Sequence, residues 1–187
     1  LKAAGHNPTV FDNLSEGHRP AVGDVPFIHA DMADEAQVAA ALRETGAEAV
    51  MHFAAFAYVG ESVEDPHKYY VNNVVNTLKL LKVMREQGVD KFVFSGSCSV
   101  YGIVPPERIP IDEEERFAPI SPYAATKAMV EQILADYARA YGLRYASLRY
   151  FNASGAAPDG SIGEDHQPET HLIPLVIQAA LGQREDR

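Results

Sequence analysis

The chain has 187 residues, 47% hydrophobic and 22% charged, enough for one substantial core and the start of a second domain. Its formal charge of -10 argues against nucleic acid or an anionic membrane as the main partner. A single cysteine, Cys98, excludes an internal disulfide framework and fits a reducing, cytoplasmic compartment, and no apolar run approaches membrane-spanning length.

No initiator Met and no signal-peptide pattern opens the sequence, and Leu1-Lys2-Ala3-Ala4-Gly5-His6 reads as a helix end with Gly5 as its stop. The sequence therefore reads as a piece of a longer protein. Thr9-Val10-Phe11 is predicted as a short strand, followed by a turn-rich loop over 12–17. Pro26-Phe27-Ile28-His29 is a second strand, leading to Asp31-Met32. Asp34 caps a helix through Val38, Ala41 and Leu42 that ends near Gly46. Ala49-Val50-Met51-His52-Phe53-Ala54-Ala55 is a buried strand running into a small-residue turn. A long helix from about Pro66 carries Tyr70, Val74, Leu78 and Leu81 on one face and stops at Gly88.

Lys91-Phe92-Val93-Phe94-Ser95 is the next strand. A loop from Gly96 to Gly102 and a Pro- and Glu-rich excursion from Pro105 to Pro119 precede a helix from Pro122 to about Tyr141. Tyr145-Ala146-Ser147-Leu148-Arg149 forms one more strand, ending in Tyr150-Phe151-Asn152. A polar loop from Ser154 to Thr170 and a short apolar helix over 172–181 follow. Strands alternate with helices and read as continuous apolar runs. This predicts a doubly wound α/β fold with a parallel sheet buried on both faces. In such sheets ligands lie beyond the carboxyl ends of the strands. That singles out Asp12, Asp31, the Phe53-Ala54-Ala55 turn, Ser95 to Ser99, and Tyr150 to Asn152.

Within the predicted helix that follows Ser121-Pro122, Tyr123 and Lys127 stand four apart, on one face and one turn apart. Ser121 is placed to cap this helix and Pro122 suits its first turn. A free tyrosine keeps its proton to about pH 10. A nearby ammonium favours the phenolate, so Lys127 is expected to lower the Tyr123 pKa towards neutrality. A tyrosine so tuned can take a proton from a sugar or alcohol hydroxyl. Tyr-x-x-x-Lys also occurs on plain helix surfaces, so its company matters.

Ser97, at a strand's carboxyl end before this helix, offers a hydroxyl to a reacting oxygen; the alternative is a loop serine satisfying its own backbone. Asp12 either accepts from adenosine ribose hydroxyls or simply makes a turn with Asn13. No Gly-x-Ser-x-Gly elbow is present, which leaves a serine hydrolase without its nucleophile. Cys98 reads as a small buried or loop residue, and His52 as a strand residue. His52, His166 and His171 show no metal-ligand spacing, so no metal is expected.

Taken together, His52-Phe53-Ala54-Ala55, Val59-Gly60-Glu61-Ser62, Tyr69-Tyr70-Val71-Asn72-Asn73-Val74, Phe94-Ser95-Gly96-Ser97, Val100-Tyr101-Gly102, Ser121-Pro122-Tyr123-Ala124-Ala125-Thr126-Lys127 and Arg149-Tyr150-Phe151-Asn152 resemble the extended short-chain dehydrogenase/reductases. Within them the chain is similar to the UDP-glucose 4-epimerases. Gly163-Glu164-Asp165-His166 and Thr170-His171-Leu172-Ile173-Pro174 strengthen that match, which covers nearly the whole chain.

The resemblance implies a Rossmann-like NAD-binding domain over 1–153, lacking its glycine-rich phosphate loop, and the beginning of a UDP-sugar-binding domain over 154–187. It implies Tyr123 as acid/base, Lys127 as its tuner and a ribose contact, and Ser97 as the partner of the sugar's 4-oxygen. Asp12 and Asn13 would hold the adenosine ribose, and Asp31 and Met32 would flank the adenine. Phe53, Ala54 and Ala55 would line the cofactor with Asn72 nearby, and Tyr150 would pack at the nicotinamide end. Asn152, His171 and Leu172 would approach the UDP-sugar. The implied activity is interconversion of UDP-glucose and UDP-galactose in galactose metabolism, by a homodimer in the cytoplasm, with these 187 residues inactive alone.

Two positions depart from the pattern. Phe56-Ala57-Tyr58 lacks a lysine that some epimerases carry, and His171 stands where asparagine is common. A 4,6-dehydratase of the same family needs an Asp-Glu pair beside the serine position, where Cys98 and Ser99 stand here. Other nucleotide-sugar epimerases and a non-catalytic NAD sensor are the further alternatives. A sensor has no use for Tyr123, Lys127 and Ser97 together.

Overall fold

In a computed structural model describing residues 1–166, 169 and 171–184, the β-branched and aromatic runs form strands in two sets. β1 (Val10–Asp12) pairs in parallel with β2 (Phe27–His29), Val10 opposite Phe27. β3 (Val50–His52) pairs in parallel with β4 (Lys91–Ser97), Val50 opposite Phe92 and His52 opposite Phe94. β5 (Arg144–Tyr150) completes a three-stranded sheet in the order β3-β4-β5. The alternation of strand and helix is that of the expected α/β fold.

The chain divides into two compact units, Leu1–Arg149 and Tyr150–Arg187, whereas the sequence reading divides it after 153. In the second unit, a loop leads to α6 (Leu172–Ala180). Thr170 of the polar-loop motif and residues 185–187 lie outside the described residues.

Helix ends follow the local chemistry. The Asp34 carboxylate accepts from the N–H groups of Ala36 and Gln37 and starts α1 (Glu35–Thr45), which Gly46 ends at φ 59. Such a cap contributes about 1 kcal/mol. Ser121 Oγ accepts from Ala124 N–H at 3.2 Å and starts α5 (Pro122–Tyr141), with Pro122 in the first turn, where its missing N–H costs nothing. Gly142 closes α5 at φ 74.

The helix expected from Pro66 to Gly88 is not a uniform α-helix. After the short α2 (Val59–Glu64) come α3 (Pro66–Tyr69), a π-helical stretch (Tyr70–Val75) and α4 (Asn76–Glu86). A wider π turn inserts a residue and rotates the face that follows it. The buried side chains are therefore Tyr69, Asn73, Asn76, Thr77, Leu80, Leu81, Val83 and Met84. Of the expected face, Leu81 is buried, but Leu78 is 36% exposed and Tyr70 only half-buried.

The core gathers Leu81, Val83 and Met84 of α4, Phe92 and Phe94 of β4, and Val130 and Leu134 of α5. The expectation of a sheet buried on both faces is not met among the described residues. Side chains alternate along a strand, and Val50, His52, Phe92, Phe94, Ser147 and Arg149 pack inward while Met51 and Leu148 stay about 40% and 42% exposed. β4 runs two residues beyond its expected end at Ser95, because Gly96 admits close approach of β5: a Cβ there would lie 2.9 Å from Ser147 Oγ. A 3-10 turn, Cys98–Tyr101, follows directly.

Candidate active site

β4 ends at Ser97, and α5 begins at Pro122 with Tyr123 and Lys127 in its first two turns. The Ser97 hydroxyl is buried, 2.8 Å from Ser99 Oγ, and is near enough to Tyr123 to pull the phenol's pKa down. The two side chains thus meet, as their order in the sequence suggests. Cys98, beside them, is half-buried, and burial pushes its thiol pKa up, against a role as nucleophile.

Lys127 departs from its expected role. Its Nζ donates to Ser95 O at 2.8 Å and lies 5.7 Å from the centroid of the Tyr123 ring. In this arrangement the Tyr123 pKa is raised, not lowered, because burial of the phenol outweighs the opposing Ser97 hydrogen bond. Burial also brings Lys127 itself down to about 8. It is still mostly charged at neutral pH, a buried cation one helical turn from the phenol.

A groove of about 180 Å³ opens at the carboxyl ends of β1, β2 and β3. Asp12, Asn13, Asp31, Met32, Phe53, Ala54, Ala55 and Asn72 all line it, so the structure brings together every residue of the first unit expected to line the cofactor, apart from Lys127, expected at the nicotinamide ribose. Asn13 Nδ2 donates to Asp31 Oδ2 at 3.0 Å. The Ala33 N–H and then Asn13 hold the Asp31 carboxyl below its ordinary pKa, so it is charged and acceptor-only. Asp12 Oδ1 accepts from Leu14 N–H at 2.6 Å, so this residue does make the turn. Its carboxylate still borders the groove, and Gly17 clears the way: a Cβ there would lie 3.2 Å from Asp12 Oδ1. Two acids flanking small residues and the exposed face of Phe53 fit a ribose-and-adenine ligand in donor set and in shape.

Three supporting residues escape the sequence reading. Asn73, 3% exposed, accepts from Phe56 N–H and donates from Nδ2 to Phe56 O and to Thr126 Oγ1. Thr126 in turn donates to Tyr123 O at 2.7 Å. The groove wall and the Tyr123 turn are thus tied through one amide. Glu131 of α5 receives Arg149 of β5 in a two-pronged pair at 2.8–3.1 Å, while Arg149 Nη1 donates to Tyr101 Oη and Glu113 O. Only the hydrophilic residues at buried helical positions hinted at these. His52 is a strand residue as expected: Thr77 Oγ1 donates to Asn73 O, so His52 Nε2 donates to Thr77. Burial brings its pKa to about 3, and it stays neutral.

In the second unit, Tyr150 closes β5, Asn152 is exposed in the bend after it, His171 precedes α6 and Leu172 begins it, 63% exposed. Although the sequence reading finds no metal-ligand spacing, Glu164, His166, Glu169 and His171 bring their ligand atoms within 4.8 Å of one another. The available signal was a repeated Glu-x-His, at 164–166 and 169–171.

The profile of the NAD dependent epimerase/dehydratase family matches residues 1–186. The UDP-glucose 4-epimerase of Rhizobium leguminosarum bv. trifolii is 50% identical over 185 residues, covering 99% of this chain and 56% of that protein. The crystal structure of UDP-glucose 4-epimerase from Brucella ovis in complex with NAD superposes with a TM-score of 0.94 at 50% identity, covering 100% of this chain and 57% of the other. That of the Stenotrophomonas maltophila enzyme, with bound NAD and formylated UDP-arabinopyranose, has a TM-score of 0.93 at 35% identity, covering 100% and 58%. The chain thus spans just over half the length of these relatives.

Proposed function

The chain belongs to the NAD dependent epimerase/dehydratase family, and on that footing we propose that it forms the cofactor-binding and acid–base part of a UDP-glucose 4-epimerase. The observation that carries this reading is the meeting of the Ser97 and Tyr123 side chains, with Lys127 buried beside them. Half-length coverage of relatives bearing that name, and relatives crystallised with NAD, support the substrate and the cofactor.

NAD, when bound, supplies the acceptor and later the donor of a hydride at the sugar's C4. Asp12 and Asn13 hold its adenosine ribose, Asp31 and Met32 flank its adenine, and Phe53, Ala54, Ala55 and Asn72 line its course. Ser97 hydrogen-bonds the sugar 4-oxygen. Tyr123 takes the 4-hydroxyl proton as C4 is oxidised to a ketone, then returns it to the 4-oxygen once the keto sugar has turned its other face. Taking that proton requires the phenolate. Ser97 already lowers the phenol's pKa, and Lys127 is the buried cation that can turn from Ser95 O towards it. Tyr150, Asn152, His171 and Leu172 keep the roles implied by the resemblance, at the nicotinamide and the UDP-sugar.

We place the protein in the cytoplasm, which its single cysteine suits, and no helix among the described residues is long and apolar enough to cross a membrane. As a homodimer it would cover Val71, Val75 and Leu78, which are exposed on successive turns. The test is conversion of UDP-galactose to UDP-glucose by the full reading frame that carries these residues. Tyr123→Phe should slow it about 10²–10⁴-fold while NAD stays bound. An unchanged rate would remove Tyr123 from the chemistry.

A further inference from the structure

Beyond the cofactor site, and sharing His171 with the proposed UDP-sugar contacts, we propose that Glu164, His166, Glu169 and His171 form a structural zinc site in the loop before α6. Two imidazole Nδ1 atoms and two carboxylates meet within 4.8 Å, three of the four residues being partly buried. Such a set carries two negative charges and balances one divalent cation. Its mixed nitrogen and oxygen donors suit a borderline ion such as Zn2+ over Ca2+ or Mg2+, which take oxygen alone.

The spacing points to coordination. Ligands about 2.0–2.2 Å from zinc at tetrahedral angles stand about 3.3–3.6 Å from one another. His166 Nδ1 lies 3.5 Å from Glu164 Oε1 and 3.4 Å from Glu169 Oε2, and His171 Nδ1 lies 3.8 Å from Glu164 Oε1. The fourth histidine–glutamate pair, His171 Nδ1 and Glu169 Oε1, is a hydrogen bond of 2.8 Å that a metal would open slightly. His166 Nδ1 gives the independent sign. It is shut off from solvent and makes no hydrogen bond, despite two carboxylates beside it. An imidazole nitrogen aimed between acids without bonding either is the arrangement a ligand adopts around an ion.

The His166 and His171 rings stand 4.4 Å apart, each presenting Nδ1 to the carboxylates of the cluster. Four protein ligands leave no open position, which makes the role structural: the ion would staple 164–171 and set the start of α6.

The test takes the chain, stripped of metal with a chelator, and titrates it with Zn2+ against a chromogenic competitor. A parallel titration with Co2+ is followed by visible absorption, and far-UV circular dichroism checks folding. One equivalent of Zn2+ should bind, with a tetrahedral Co2+ spectrum. His166→Ala and His171→Ala should each weaken binding by more than about tenfold, and His67→Ala, on an exposed helix turn of the first unit, should change nothing. Should a histidine variant not fold, Glu164→Gln on the most exposed ligand decides by weakening Zn2+ and altering the Co2+ spectrum. No Zn2+ uptake, or affinity unaltered in these ligand variants, would overturn the site.

Discussion

Replacing Lys127 by Met should change the pH dependence of stability in a way the structure quantifies. Lys127 is 4% exposed, and burial moves its pKa from 10.5 to about 8. The unfolded chain keeps the ordinary value, so between about pH 8 and about pH 10.5 it binds the extra proton. The contribution of Lys127 to stability therefore rises with pH across that window. Below it, the folded chain holds a buried ammonium at a cost of about 3 kcal/mol. Between about pH 7 and about pH 9 the wild-type chain should gain about 1.4 kcal/mol relative to Lys127→Met. Loss of the bond to Ser95 O costs the variant about 1 kcal/mol at both pH values. Tyr69 and Cys98, whose pKa values burial raises, titrate alike in both proteins and cancel. Urea unfolding followed by far-UV circular dichroism at the two pH values gives the double difference. A stability difference that does not move with pH would refute the buried, desolvated ammonium.

Glu131→Ala should destabilise the chain by about 3 kcal/mol, since it leaves the Arg149 guanidinium without its carboxylate; the Glu131→Leu, Arg149→Met pair should recover most of that in the same urea assay. Gly102→Ala should cost about 2 kcal/mol or more, because φ is +66 and a Cβ would lie 2.1 Å from Ala118 O. An unchanged urea midpoint would contradict that approach. Asp12→Ala should weaken NAD binding by about tenfold or more, the worth of a hydrogen bond to a charged group, as read by calorimetry on the full reading frame. An unaltered dissociation constant would leave Asp12 with its turn alone.

The caps, the strands and the groove were legible because they depend on local chemistry: Asp34 and Ser121 advertise helix starts, and Asp12, Asp31 and Ala54-Ala55 stand where strands end. The buried face of the helix after Pro66 was misread because a π turn is invisible to a fixed 3.6-residue period. Burial on both faces of the sheet was misjudged because apolar strand residues such as Met51 and Leu148 say nothing of what covers them. The phenol's pKa was misjudged because spacing along α5 places Lys127 near Tyr123 but does not say where its Nζ turns or how much water the phenol loses. Long-range partners such as Arg149 with Glu131, 18 residues apart, carry no spacing signature at all.

The Asn73 amide joins the exit of β3, the π turn and the first turns of α5, three stretches far apart along the chain. A side chain fastened on all sides works like a rivet, fixing the gauge between the groove wall at Phe56 and the helical turn that carries Tyr123. Under the proposed function, a keto sugar turning in its site would do so against a frame that does not turn with it.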